Sequence, residues 1–124
     1  TAAVADYSPA VRADQKIKKD VPKLSLDLIQ TKDILSQLVR GRKDRQIIVG
    51  FCAETRDLKM EALRKIRQKG LDLLIANDVS QCDAGFDVPT NRVLIVSPGG
   101  DIEALPLLHK EELAERIWDR IFTL

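Results

Sequence analysis

Lys16-Ile17-Lys18-Lys19 places three ammonium groups within four positions, just before Asp20-Val21-Pro22. Like charges that close repel one another, so a folded chain tolerates them cheaply only in water or opposite an anion such as a triphosphate. Upstream, the apolar run Thr1-Ala2-Ala3-Val4-Ala5 ends in Asp6, an acid where a parallel strand would reach a site at its carboxyl edge. Lys65 and Lys69 stand four apart and share one helix face, as paired phosphate-reaching amines require. Asn77-Asp78 follows another apolar run, where the pair either positions a substrate or builds an Asx turn. Each cluster also has a plain alternative: a solvated basic loop, a turn cap or a solvated helix face.

Composition confines the chemistry to such local sites. The 124 residues carry 20 basic and 19 acidic side chains, a net charge of +1, which removes the case for a general nucleic-acid or anionic-membrane binder. A 44% hydrophobic content suits one domain with its own core. Cys52 and Cys82 lack metal-type spacing and read as reduced thiols, and His109 is a lone surface histidine. No GxGxxG follows any strand, which weighs against an NAD(P) or flavin domain. No stretch approaches the roughly 20 apolar residues of a membrane span, so a cytoplasmic location is expected. The start without Met, inside an apolar run, reads as part of something longer.

The elements that must hold these residues alternate. Residues 1–6 and the alternating run Leu24–Ile29 read as strands, and Thr31 caps a helix with Ile34, Leu35, Leu38 and Val39 at helical spacing up to Gly41. Ile47–Ala53 is apolar without alternation, the pattern of a central parallel strand. Thr55 or Asp57 opens a second helix, with Leu58, Ala62, Leu63 and Ile66 inward and Gly70 as its stop. Leu71–Ala76 and Arg92–Val96 are further strands, and Pro98-Gly99-Gly100-Asp101 turns the chain back into Ile102–Leu107. Lys110–Phe122 is a closing helix with Leu113, Ile117 and Ile121 inward and Trp118 in core or interface. The expected fold is α/β and Rossmann-like, three layers with a mainly parallel sheet, a C-terminal β-hairpin and a helix.

Together Ala5-Asp6-Tyr7, Lys16–Lys19, Thr31–Leu35, Gly50–Thr55, Lys69–Asp72, Ala76–Ser80, Thr90–Val93 and Leu105–Leu107 resemble the phosphopantothenate–cysteine ligase domain, over nearly the whole chain. In bacteria that domain usually follows a flavin-dependent decarboxylase of coenzyme A synthesis. The resemblance implies a ligase that uses CTP and Mg²⁺ to convert the carboxylate of 4′-phosphopantothenate into an acyl-cytidylate, from which the amine of L-cysteine displaces CMP. FMN would belong to the fused decarboxylase.

The resemblance also implies roles. Lys16 becomes the lysine of a mobile basic lid, residues 8–23, tied to formation or conversion of the intermediate, with Lys18 and Lys19 in the same lid. Asp6 becomes a nucleotide contact and possible Mg²⁺ ligand. Lys32, Asp33, Ile34 and Leu35 become a nucleotide-contacting helix start, with Lys32 where the family usually has proline. Phe51 lines the cytidine pocket or fills a core, and Lys65 and Lys69 reach the nucleotide. Cys52, where the family commonly carries alanine, packs as a small hydrophobe. The family pairs as homodimers, and its earlier half, with a Gly-rich phosphate loop and an essential asparagine, is not in these residues. The fragment alone is therefore expected to be inactive, and a non-catalytic nucleotide-binding or dimerising module is the alternative.

Overall fold

The computed structural model describes residues 4–18, 22–81, 83–85 and 87–124. Thr1–Ala3, Lys19–Val21, Cys82 and Phe86 lie outside them, and with them go the expected strand start and the lid residue Lys19. The chain forms two compact units, Thr1–Ile34 and Leu35–Leu124.

In the first unit, β1 (Tyr7–Pro9) pairs antiparallel with β2 (Leu28–Gln30), Tyr7 opposite Gln30 and Pro9 opposite Leu28. Two backbone bonds extend the pairing: Ala10 N–H donates to the Asp27 carbonyl and Thr31 N–H to the Asp6 carbonyl, each at 2.8 Å. None of its described residues is buried. For the described part of the expected buried strand ending at Asp6 the structure differs: Val4, Ala5 and Asp6 are exposed, and among the described residues strand pairing begins at Tyr7. The second expected strand is shorter than its alternation suggested, because Leu24 and Leu26 have no pairing partner and lie exposed.

The second unit is built on a four-stranded sheet of order β3 (Val49–Glu54), β4 (Leu73–Asp78), β6 (Val93–Val96) and β7 (Ile102–Ala104). β3 and β4 are parallel, while the β4–β6 and β6–β7 pairs are antiparallel. This corrects the expectation of a mainly parallel sheet. A parallel return needs a crossover long enough to traverse the sheet, usually a helix. The connection from Asp78 to Thr90 holds no helix among its described residues, so β6 comes back antiparallel. A second correction concerns β3, which lies at the sheet's edge rather than its middle, leaving β4, buried over Leu73–Ala76, and β6, buried throughout, as the two inner strands. The short pair β5 (Thr90–Asn91) and β8 (Leu108–His109) stands beside this sheet.

Helices cover both faces. On one face α2 (Leu58–Lys69) buries Ala62 and Ile66 against Leu74, Ala76, Leu94 and Val96, joined by Leu35 and Val39 of α1 (Ile34–Arg40). Ile34 and Leu38, expected inward, are exposed. Thr31 does not cap α1; its hydroxyl donates to the Ala5 carbonyl at 2.7 Å. On the other face α3 (Lys110–Ile121) buries Leu113 and Ile117 on Leu73, Ile75, Val93 and Ile95. Gly70 ends α2 in a left-handed conformation, φ 66°, its N–H on the Ile66 carbonyl, a geometry costly for a residue with a Cβ. Gly50 lets α1 and the sheet close together, since a Cβ there would meet Leu71 Cδ1 at 2.6 Å and Leu35 Cδ2 at 3.2 Å. Asp72 fastens the turn into β4, accepting from Ile48 N–H at 2.7 Å and from both terminal nitrogens of Arg42 at 3.1 and 2.7 Å.

Candidate functional site

Parallel strands end together, and ligands gather where the chain departs from those ends. In the second unit the ends are Glu54 and Asp78, side by side in register, with Val79 N–H donating to the Glu54 carbonyl at 3.1 Å. The helix that follows β3 sends Lys65 back to this edge, where its ammonium Nζ pairs with Glu54 Oε1. Both side chains are largely covered, 30% exposed for Lys65 and 19% for Glu54. Burial works against the charge on Lys65, but the hydrogen bond and charge of Glu54 outweigh it and raise its pKa. Lys69, one turn further on, is half-buried.

Strand alternation divides the expected nucleotide contacts. Gly50 packs toward Leu35 of α1, Cys52 lies on the same core and Glu54 meets Lys65 of α2 on that face, so Phe51 and Ala53 face the opposite side, with Val49. Phe51 is 67% exposed, which removes its reading as core filler. A single ligand touching both Phe51 and Lys65 must therefore pass around the edge or the carboxyl end of β3. Cys52 packs against the α2 core as expected, and burial pushes its thiol up, with Lys65 opposing.

At β4, Asp78 builds a turn: its Oδ1 accepts from Ser80 N–H at 3.0 Å and from the Ser80 hydroxyl at 2.6 Å. Those bonds hold the carboxyl below its ordinary range. Asn77 Oδ1 is buried without a hydrogen-bond partner. A cleft of about 380 Å³ opens beside this end, lined by Asp57, Leu58, Lys59, Met60, Asp78 and Arg92 among others. Arg92 is held there by Gln81 at 3.0 Å and Asp83 at 3.3 Å.

In the first unit, Thr31 N–H donates to the Asp6 carbonyl, so Asp6 lies across from the residue that precedes Lys32. Lys16 and Lys18 are exposed on the long connection between β1 and β2. Among the described residues no group of three or more His, Cys, Asp or Glu is placed to hold a metal ion. A Mg²⁺ carried on a triphosphate takes most of its ligands from phosphate and water, and one exposed carboxylate such as Asp6 fits that smaller role.

The whole chain, residues 1–124, matches the DNA/pantothenate metabolism flavoprotein C-terminal domain family. The chain belongs to this family. The coenzyme A biosynthesis bifunctional protein CoaBC of Bacillus subtilis (strain 168) is 42% identical over 124 residues, spanning 100% of this chain and 30% of that protein. The crystal structure of the C-terminal domain of a CoaBC protein superposes with a TM-score of 0.70 at 34% identity, over 98% of this chain and 50% of that chain. The DNA/pantothenate metabolism flavoprotein of Streptococcus pneumoniae gives 0.72 at 25% identity, over 98% and 60%. The chain thus spans about a third of the curated relatives' length.

Sequence reading of this family domain missed Glu54 as the partner of Lys65 and Ser80 as the partner of Asp78. Both left a signal: an acid closing an apolar strand ahead of a helix with a cation on its inward flank, and Asp-x-Ser after a strand, the spacing of an Asx turn.

Proposed function

We propose that this chain is part of a ligase that joins 4′-phosphopantothenate to L-cysteine in coenzyme A synthesis, using CTP. The match of all 124 residues to the family carries the reading, and the name of the Bacillus relative supports the pathway. The pantothenate carboxylate oxygen attacks the α-phosphorus of CTP and pyrophosphate leaves with the electron pair of the broken P–O bond. The neutral amine of cysteine then attacks the acyl carbon, CMP departs and the amine gives up a proton. A carboxylate becomes an acyl donor only when its oxygen leaves as part of a stable anion, and cations lower the cost of the charge that moves.

In this reading Lys16 supports the intermediate from the lid of residues 8–23, with Lys18 and Lys19. Asp6, Lys32, Asp33, Ile34, Leu35, Phe51, Lys65 and Lys69 contact the nucleotide, and Asn77 and Asp78 position substrate. Mg²⁺ bound to the triphosphate would neutralise phosphate charge, with Asp6 as its protein ligand. A homodimer, a cytoplasmic location and FMN confined to a fused decarboxylase complete the proposal. A Coulomb attraction worth about 1 kcal/mol at 4 Å in water grows to about 4 kcal/mol at an effective dielectric near 20, so a lysine on an open loop acts only after closure.

The test is Lys16→Ala in the full-length protein. CTP binding should persist while product formation falls by about 100-fold or more, the scale of losing one transition-state charge partner. Undiminished turnover would remove the lid lysine from the mechanism. The alternative reading is a non-catalytic nucleotide-binding or dimerising module. CTP binding to the isolated chain without pyrophosphate release when phosphopantothenate is added would support the module.

A further inference from the structure

Lys65 is already engaged. Its ammonium, the charge that the nucleotide reading assigns to phosphate, is paired with Glu54. Glu54 stands next to Asp78 across the β3–β4 register, so the strand ends present two carboxylates where an incoming polyanion would arrive. One cation shared with a resident carboxylate has little net attraction for a second anion, and the two anions repel each other over a few ångströms. Glu54 is fixed by its strand, whereas Lys65 ends a four-carbon stem that can swing. Arg64, the preceding α2 cation, is itself bound to Glu61 at 2.7 Å and to Gln68 at 2.8 Å.

We infer that Glu54 is a positioning residue that sets nucleotide affinity: it is an internal counter-ion which parks Lys65 at the end of β3 and which a nucleotide phosphate must displace. The inference rests on the reading of Lys65 as a nucleotide contact. When the competent arrangement is only partly populated, apparent affinity falls by that fraction. Partly exposed ion pairs contribute about 0.2–1 kcal/mol, so the parked state should weaken binding by about two- to fivefold. Phosphate displacing the pair keeps Lys65 protonated and moves no proton, so the effect is one of charge alone.

The experiment measures Mg²⁺·CTP binding by isothermal titration to the full-length protein and its Glu54→Gln, Glu54→Ala, Lys65→Ala and doubly substituted Glu54→Gln/Lys65→Ala forms, with thermal melts confirming folding. Gln keeps the shape and an acceptor oxygen while removing the charge. The expected result is tighter binding by about two- to fivefold for Glu54→Gln, weaker binding for Lys65→Ala, and a double variant no tighter than Lys65→Ala. A purely structural Glu54 could not produce a gain that disappears with Lys65. If Lys65→Ala weakens binding while Glu54→Gln leaves it unchanged or weaker, the counter-ion role falls and the nucleotide reading stands. If Lys65→Ala binds like the parent, the nucleotide reading of Lys65 falls and this inference with it. Glu54→Ala decides the same question should the Gln form fail to fold.

Discussion

Asp78 shows how a single turn fixes a charge. Two hydrogen bonds from Ser80 stabilise its ionised form and hold its pKa below the ordinary aspartate value. A carboxyl with a folded pKa below its unfolded value, about 3.9, adds stability that is fully present above that value and is lost as pH falls through the folded one. Carboxyl NMR titration should therefore place the Asp78 midpoint below that of a free aspartate, and Ser80→Ala should move it upward. An ordinary midpoint in the parent protein would contradict the geometry. At this scale the sequence exposed residue types and spacings but not partners. Lys65 was legible as a cation four positions from Lys69, but its partner Glu54 lies eleven positions back and meets it only after the strand and helix pack. Phe51 shows the complementary gap: an aromatic in an apolar strand reads alike inside a core or exposed at a sheet edge, and only the missing neighbour on that side decides.

Elements that bury one face were the most legible. The stripes of α2 and α3 and the Pro98–Asp101 turn into β7 stand as their periodicity indicates, because each contrasts an apolar face with a polar one. β3 was misplaced for the opposite reason: a run without alternation carries no record of how many strands flank it. The strand directions were lost with it, since the polar connection after Asp78 signals direction only by holding no helix among its described residues. In α3 the contrast can be measured. Ile117 is buried against the sheet, while Trp118 is 58% exposed and stacks on Phe122 at 5.8 Å between ring centroids. Ile117→Ala should cost about 2–4 kcal/mol in chemical denaturation through lost burial and an unfilled cavity. Trp118→Ala should cost under about 1 kcal/mol in the monomeric state, since most of its ring already faces water. Equal losses for both would place Trp118 in the core, the half of its expectation that the structure overturns.

Over the whole molecule, the resemblance spans one chain but the residues it singles out fall in two units of unlike stability. The unit Leu35–Leu124 holds every buried hydrophobic side chain among the described residues, whereas Thr1–Ile34 holds none and is knit by a three-residue ladder with its flanking backbone bonds. Opening free energy follows buried apolar contact, so the two units should separate in native-state hydrogen exchange. Amides of Tyr7, Ala10 and Thr31 should open at about 0–2 kcal/mol, while those of Ile75 and Leu94 should approach the global value, of the order of 5–15 kcal/mol. A ligand that binds only the folded form adds stability that grows with the logarithm of its concentration above Kd, so Mg²⁺·CTP should raise protection around Asp6 and Thr31 if that segment meets the nucleotide. Ile117, on the α3 face, opens by global unfolding, so its protection should rise only by as much as the nucleotide raises the global value. Protection in Thr1–Ile34 matching that of β4 without nucleotide would mean that this segment is ordered by something other than its own contacts. Low protection that nucleotide fails to raise would detach Asp6 and the basic connection from CTP, leaving Leu35, Phe51, Lys65 and Lys69 of the second unit to carry any nucleotide contact made by this chain.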